Sequence, residues 1–131
     1  MTRLLTDTSA YSAFRRGNAD VVQALRTADR IFVSVISLGE LRGGFAVGTR
    51  HAKNESELQS FLRAPRVEVL VLDSETSIYY AAIYAALRNA GTPIPVNDLW
   101  IAASAMQHGL PIITTDSDFL KVSQIIVQLI Q

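Results

Sequence analysis

Ile31-Phe32-Val33-Ser34-Val35-Ile36-Ser37-Leu38-Gly39-Glu40-Leu41 reads as a strand that gives way to a helix. Ile31 to Val35 is a β-branched run of strand length, free of charge. Helical spacing starts at about residue 38 and crosses Gly43-Gly44 with some weakness. The same alternation extends outward in both directions. Upstream, a strand at about 3–7 leads into a short helix from Thr8 to Arg16, stopped by Gly17, and Asn18 caps a helix over about 19–28. Downstream, residues 50–63 read as a helix paired antiparallel with the one from 38, and Pro65 ends that unit. Val67 to Leu72 is a third strand. Asp73 or Ser74 caps a helix to about Asn89, with Gly91 as its stop. Pro93 and Pro95 fill an extended loop, Asn97 or Asp98 caps the next helix, and Gly109 ends it. Ile112 to Thr114 is a fourth strand; residues 125–130 are a fifth strand or a helical segment. Strands alternating with helices imply an α/β fold, with a mainly parallel, roughly five-stranded sheet and helices on both faces. At 131 residues the chain is expected to form a single domain, 1–131.

Four acids stand at the junctions of these elements. Asp7 closes the first strand, Glu40 follows the second, Asp98 opens a helix and Asp116 closes the fourth strand. Each has an ordinary structural reading. Ser37 and Glu40 fit a capping box, Asp98 suits the first turn of a helix, Asp116 an Asx turn, and Asp7 the cap of the helix after it. Ordinary capping, however, does not require acids to recur at strand ends through the chain. In an open α/β sheet the carboxyl ends of the strands share one edge, where ligands bind. Carboxylates gathered there repel one another unless a cation lies between them. The pattern therefore points to a divalent metal.

Composition removes other chemistries. With no cysteine, disulfides, thiolate catalysis and cysteine-ligated zinc are excluded. His51 and His108 are too few for a histidine-rich centre. No Gly-Lys-Ser/Thr follows the glycines of 39–48, so a P-loop is unsupported, and neither Ser9 nor Ser104 lies in a nucleophile elbow. No apolar run approaches the ~20 residues that span a bilayer, and no basic segment leads an apolar one, so a cytoplasmic location is expected.

The net charge is zero but unevenly spread. Residues 1–66 hold ten Lys/Arg against six Asp/Glu, and residues 67–131 hold two against six. Arg15, Arg16, Arg42, Arg50 and Lys53 cluster in the basic half. They fit either solvated helix faces or a basic rim for a phosphate backbone around an acidic centre.

Four segments occur in order: Leu4-Leu5-Thr6-Asp7-Thr8-Ser9-Ala10, Ser37-Leu38-Gly39-Glu40-Leu41, Val96-Asn97-Asp98-Leu99-Trp100-Ile101-Ala102-Ala103 and Ile113-Thr114-Thr115-Asp116-Ser117-Asp118-Phe119. Together they resemble the PIN-domain family, and most closely its VapC-type ribonuclease toxins of prokaryotic toxin–antitoxin pairs. The resemblance covers essentially the whole chain and implies a three-layer sandwich. It implies that Asp7, Glu40, Asp98 and Asp116 are catalytic and hold Mg²⁺ or Mn²⁺, with Asp118 a further, less regular ligand. Thr8, Ser9 and Thr114 match small polar positions whose hydroxyls assist. It further implies an RNA substrate, a VapB-type antitoxin and a homodimer, built up to a heterotetramer or larger with the antitoxin, with no membrane association. An apolar helical surface at Leu38, Leu41, Phe45 and Leu58 is the expected docking area.

Oxygen ligands suit hard cations, consistent with that inheritance. Two rivals are carried. A receiver-type phosphoacceptor domain would use Asp73 and Lys121, but such domains carry an acidic pair after the first strand, and Asp7 stands alone. A PIN-fold binding module without catalysis would be expected to have lost its acids.

Overall fold

A computed structural model describes residues Met1–Gln131. Five strands form one all-parallel sheet: β1 (Arg3–Thr6), β2 (Arg30–Ser34), β3 (Val67–Leu70), β4 (Ile112–Thr114) and β5 (Val127–Leu129), in the order β3-β2-β1-β4-β5. The six helices are α1 (Thr8–Arg15), α2 (Ala19–Thr27), α3 (Val35–Val47), α4 (His51–Arg63), α5 (Ser74–Ala90) and α6 (Val96–His108). A 3-10 turn, Ser117–Lys121, follows β4. The segment near 125–130, open between strand and helix in the sequence, is the edge strand β5.

Strand residues alternate between two cores because successive side chains point to opposite faces. Leu5, Phe32 and Ile112 pack under α5 and α6 with Ile83, Leu87, Leu99 and Ile101. Leu4, Ile31 and Ile113 face α1 and α2 through Ala10, Val21 and Leu25. Val33 extends that second layer to Tyr11, Leu38, Leu41 and Leu58 of α1, α3 and α4. The result is the expected three-layer sandwich. Burying each such aliphatic side chain is worth roughly 1.5–3 kcal/mol.

Three local expectations are corrected. Helix α3 starts at Val35, because Ser34 at the end of β2 already caps it by accepting from the Ile36 amide at 3.1 Å. Ser37 is then inside the first turn, so no Ser37–Glu40 capping box forms and the buried Ser37 hydroxyl has no partner. Helix α6 is capped at Pro95 without a side-chain bond, so neither Asn97 nor Asp98 is its cap. Finally, Leu38, Leu41 and Leu58 are 6%, 7% and 0% exposed. They are core rather than docking surface, since α3 and α4 turn their apolar sides onto β2 and α1.

Sheet order decides where a site can form. From β1 the chain moves one way to β2 and β3, and later the other way from β4 to β5. The direction changes between β1 and β4, which are paired neighbours. Crevices at such a switch point, beyond the carboxyl ends of the strands, are where α/β sheets bind ligands.

Candidate metal centre at the sheet edge

Asp7 and Asp116 follow the two strands at the switch point. Asp7 is the N-cap of α1, and its carboxylate accepts from the Ala10 amide at 2.8 Å. It also accepts from the Ser9 hydroxyl at 2.9 Å and from the Thr114 hydroxyl at 2.7 Å. Thr114 and Ser9 are in turn held by the Asp116 and Thr115 amides, at 2.9 and 3.0 Å. These bonds stitch the end of β1 to the end of β4. Asp7 is only 4% exposed. Burial pushes its pKa up, against the opposing pull of the Thr114, Ala10 and Ser9 donors.

Asp98 stands in the first turn of α6 and is half-buried. Burial, and then the charges of Asp116, Glu40, Asp7 and Asp118, push its pKa from 3.8 to about 6. A carboxyl raised by four like-charged neighbours is the electrostatic signature of acids converging on one point. Geometry agrees: one carboxylate oxygen each from Asp98, Asp116 and Asp118 lie within 4.8 Å of one another. Asp116 caps the 3-10 turn by accepting from the Asp118 amide at 2.9 Å, which folds Asp118 back beside it. Asp118 also accepts from Lys121 at 2.9 Å. The three ligand atoms that converge are carboxylate oxygens, the donor type of a hard divalent cation.

Glu40 is exposed in the second turn of α3, not at a strand end. Thr8 donates to its Oε1 at 2.5 Å and Asn97 to its Oε2 at 3.3 Å. The structure thus gathers the other four acids around Asp98. The tightest group contains Asp118, whereas Asp7 is spent largely on hydrogen bonds and Glu40 stands at the margin. In the sequence Asn97 reads only as a helix cap, and its one signal of a place in the site is its position beside Asp98.

The basic residues divide. Arg15 pairs with Glu57 at 2.5 Å, and Arg42 makes a two-pronged bond to Glu55, Nε–Oε1 at 3.0 Å and Nη2–Oε2 at 2.9 Å. Both pairs join neighbouring helices to α4. Arg16, Arg50 and Lys53 are exposed and make no ion pair. A cleft of about 250 Å³ between α1, α3 and α4 has Arg16 on its rim and Leu41 and Phe45 in its wall.

The receiver reading loses its two residues. Asp73 is the N-cap of α5, closed in a capping box with Thr76 and bonded to Gln107 at 3.1 Å. Lys121 is paired with Asp118.

An all-parallel sheet with clustered acids at its switch point defines a class of carboxylate-centred α/β domains. The PIN domain family matches residues 4–125, and the chain belongs to that family. It is 39% identical over 87 residues to ribonuclease VapC4 of Mycobacterium tuberculosis, covering 66% of this chain and 67% of that one. Its fold matches that of a chain of VapBC2 from Rickettsia felis, solved bound to a promoter DNA fragment. There the TM-score is 0.87 at 24% identity over 97% and 98% of the two chains. VapBC-5, a toxin–antitoxin system of Mycobacterium tuberculosis, superposes with a TM-score of 0.77 at 26% identity, over 99% and 100%.

Proposed function

We propose that residues 1–131 form one catalytic unit, a metal-dependent endoribonuclease that is the toxin of a type II toxin–antitoxin pair. The observation that carries this reading is the convergence of Asp98, Asp116 and Asp118 within 4.8 Å at the sheet's switch point, beside Asp7 and Glu40. Membership of the PIN family and likeness to a VapC ribonuclease support the substrate class. The VapBC neighbours support an antitoxin partner. No helix of the chain is long and apolar enough to cross a membrane.

Asp98, Asp116 and Asp118, with Asp7 and Glu40 beside them, would hold Mg²⁺ or Mn²⁺. When bound, such a cation supplies the acidity that readies water for attack on a phosphodiester and offsets charge at the phosphate. The chain's own residues prepare that chemistry. Burial, and then its anionic neighbours, raise Asp98 to about 6, so a cation held there would favour the fully ionised cluster. Ser9 and Thr114 fix the Asp7 carboxylate in one orientation. Arg16, Arg50 and Lys53, unpaired and exposed, supply positive charge toward an RNA backbone.

Purified protein free of antitoxin should cut structured RNA in Mg²⁺ or Mn²⁺ and stop on addition of chelator. Intact RNA across transfer and ribosomal substrates, with free metal present, would refute the reading.

A further inference from the structure

Glu40 is the one acid of the site on an exposed helical face, yet neither of its oxygens is free of a partner. A glutamate there ordinarily keeps its rotamer freedom, and ordering it has an entropic cost. Thr8 donates to one oxygen and Asn97 to the other. These donors are the chain neighbours of Asp7 and Asp98, the acids supplied by the β1–α1 junction and by α6. Glu40 is thereby tied to two of the three other limbs of the site, across 32 and 57 residues of sequence. Helix α6 is capped at Pro95 without a side-chain bond, so the Asn97 side chain has no capping role.

The donor types suit a ligand in waiting. A lysine or arginine against Glu40 would offset its charge, as Lys121 does for Asp118. A second carboxylate would repel it. A hydroxyl and a carboxamide restrain the carboxylate while leaving its charge intact.

We propose that Asn97, acting with Thr8, is a positioning residue that holds Glu40 from both sides and presents it to the metal group formed by Asp98, Asp116 and Asp118. This rests on the metal-dependent reading above. Partners of this kind typically change metal affinity by about 10–100-fold when removed.

The test is a Mn²⁺ titration of the full chain, following free Mn²⁺ by electron paramagnetic resonance, with melting of the metal-free proteins as a folding control. Asn97→Ala should weaken Mn²⁺ binding about 10-fold, toward the lower end of that range because the contact is long. Glu40→Gln should weaken it at least as much. The double variant should be no weaker than Glu40→Gln alone, since Asn97 acts through Glu40. Thr8→Val should behave like Asn97→Ala, and Thr8→Ser, which keeps the hydroxyl, should bind as the wild type does. If Asn97→Ala does not fold, the Thr8 pair carries the test. Asn97→Ala binding with unchanged affinity, or an equal loss in the Glu40→Gln background, overturns the clamp while leaving the metal site standing. A wild-type chain that takes up no Mn²⁺ overturns the metal reading, and the clamp with it.

Discussion

Asp7 and Asp98 are both raised carboxyls, held up in different ways. Asp7 is buried among donors, so its ionised form depends on those hydrogen bonds. Thr114→Val removes the 2.7 Å bond and leaves the Asp116 amide without its acceptor. The expected cost is about 1–3 kcal/mol at pH 7, the usual penalty for stranding a buried polar group. It should shrink in acid, where Asp7 is protonated; urea midpoints at two pH values check this. Asp98 is raised to about 6. A carboxyl that binds its proton more tightly when folded contributes stability below its unfolded value near 3.8, and loses it as pH rises through about 6. In chelator, the wild-type melting temperature should therefore fall between pH 4 and 7 relative to Asp98→Asn, which cannot ionise there. The variant should be as stable as the wild type or more so at pH 7, and should lose both its Mn²⁺-induced melting shift and RNA cleavage. Retained cleavage with an unchanged shift would mean that Asp98 is only a first-turn acid.

At the scale of elements, the site depends on where helices begin more than on where they end. The start of α1 is set by Asp7, that of α3 by Ser34 and that of α6 by Pro95, and each start aims an acid or its clamp at the sheet edge. The far end of α6 is closed by Gly109 at φ +64°, a left-handed conformation that disfavours any side chain. A Cβ there meets nothing within 4 Å, so Gly109→Ala isolates the backbone cost, about 1–2 kcal/mol. Thermal melts should show that loss. The Mn²⁺-induced shift should persist, because Asp98 lies at the opposite end of the helix. A variant that lost metal binding as well would show that the whole of α6, not its first turn, sets the ligand position.

For the whole molecule, the cleft between α1, α3 and α4 is lined by Leu41, next in sequence to Glu40, and by Ser12, one helical turn after Thr8. With Leu38, Leu41 and Leu58 in the core, any apolar docking there falls to the half-buried Phe45 and the exposed parts of the cleft wall. Co-expression with the product encoded next door should give a tight complex built on a homodimer, measured by size-exclusion chromatography with light scattering. A lone monomer indifferent to that neighbour would reject the toxin–antitoxin assignment, without touching the nuclease chemistry.

The sequence alone determined the α/β class, the order of strands and helices as far as β4, and the acids at the junctions. Those follow from β-branched runs, helical spacing and stop signals such as Gly91 and Gly109, all of which act over a few residues. It did not determine that α3 begins at Val35 or that α6 is capped at Pro95 rather than at Asn97, because competing caps a residue or two apart look equally good in sequence. Only the tertiary structure decided that Asp118 joins Asp98 and Asp116, that Thr114 holds Asp7 across 107 residues, and that Asn97 reaches Glu40 across 57. Such contacts depend on the order in which strands lie side by side. The reversal between β1 and β4 sets that order, and no local pattern encodes it.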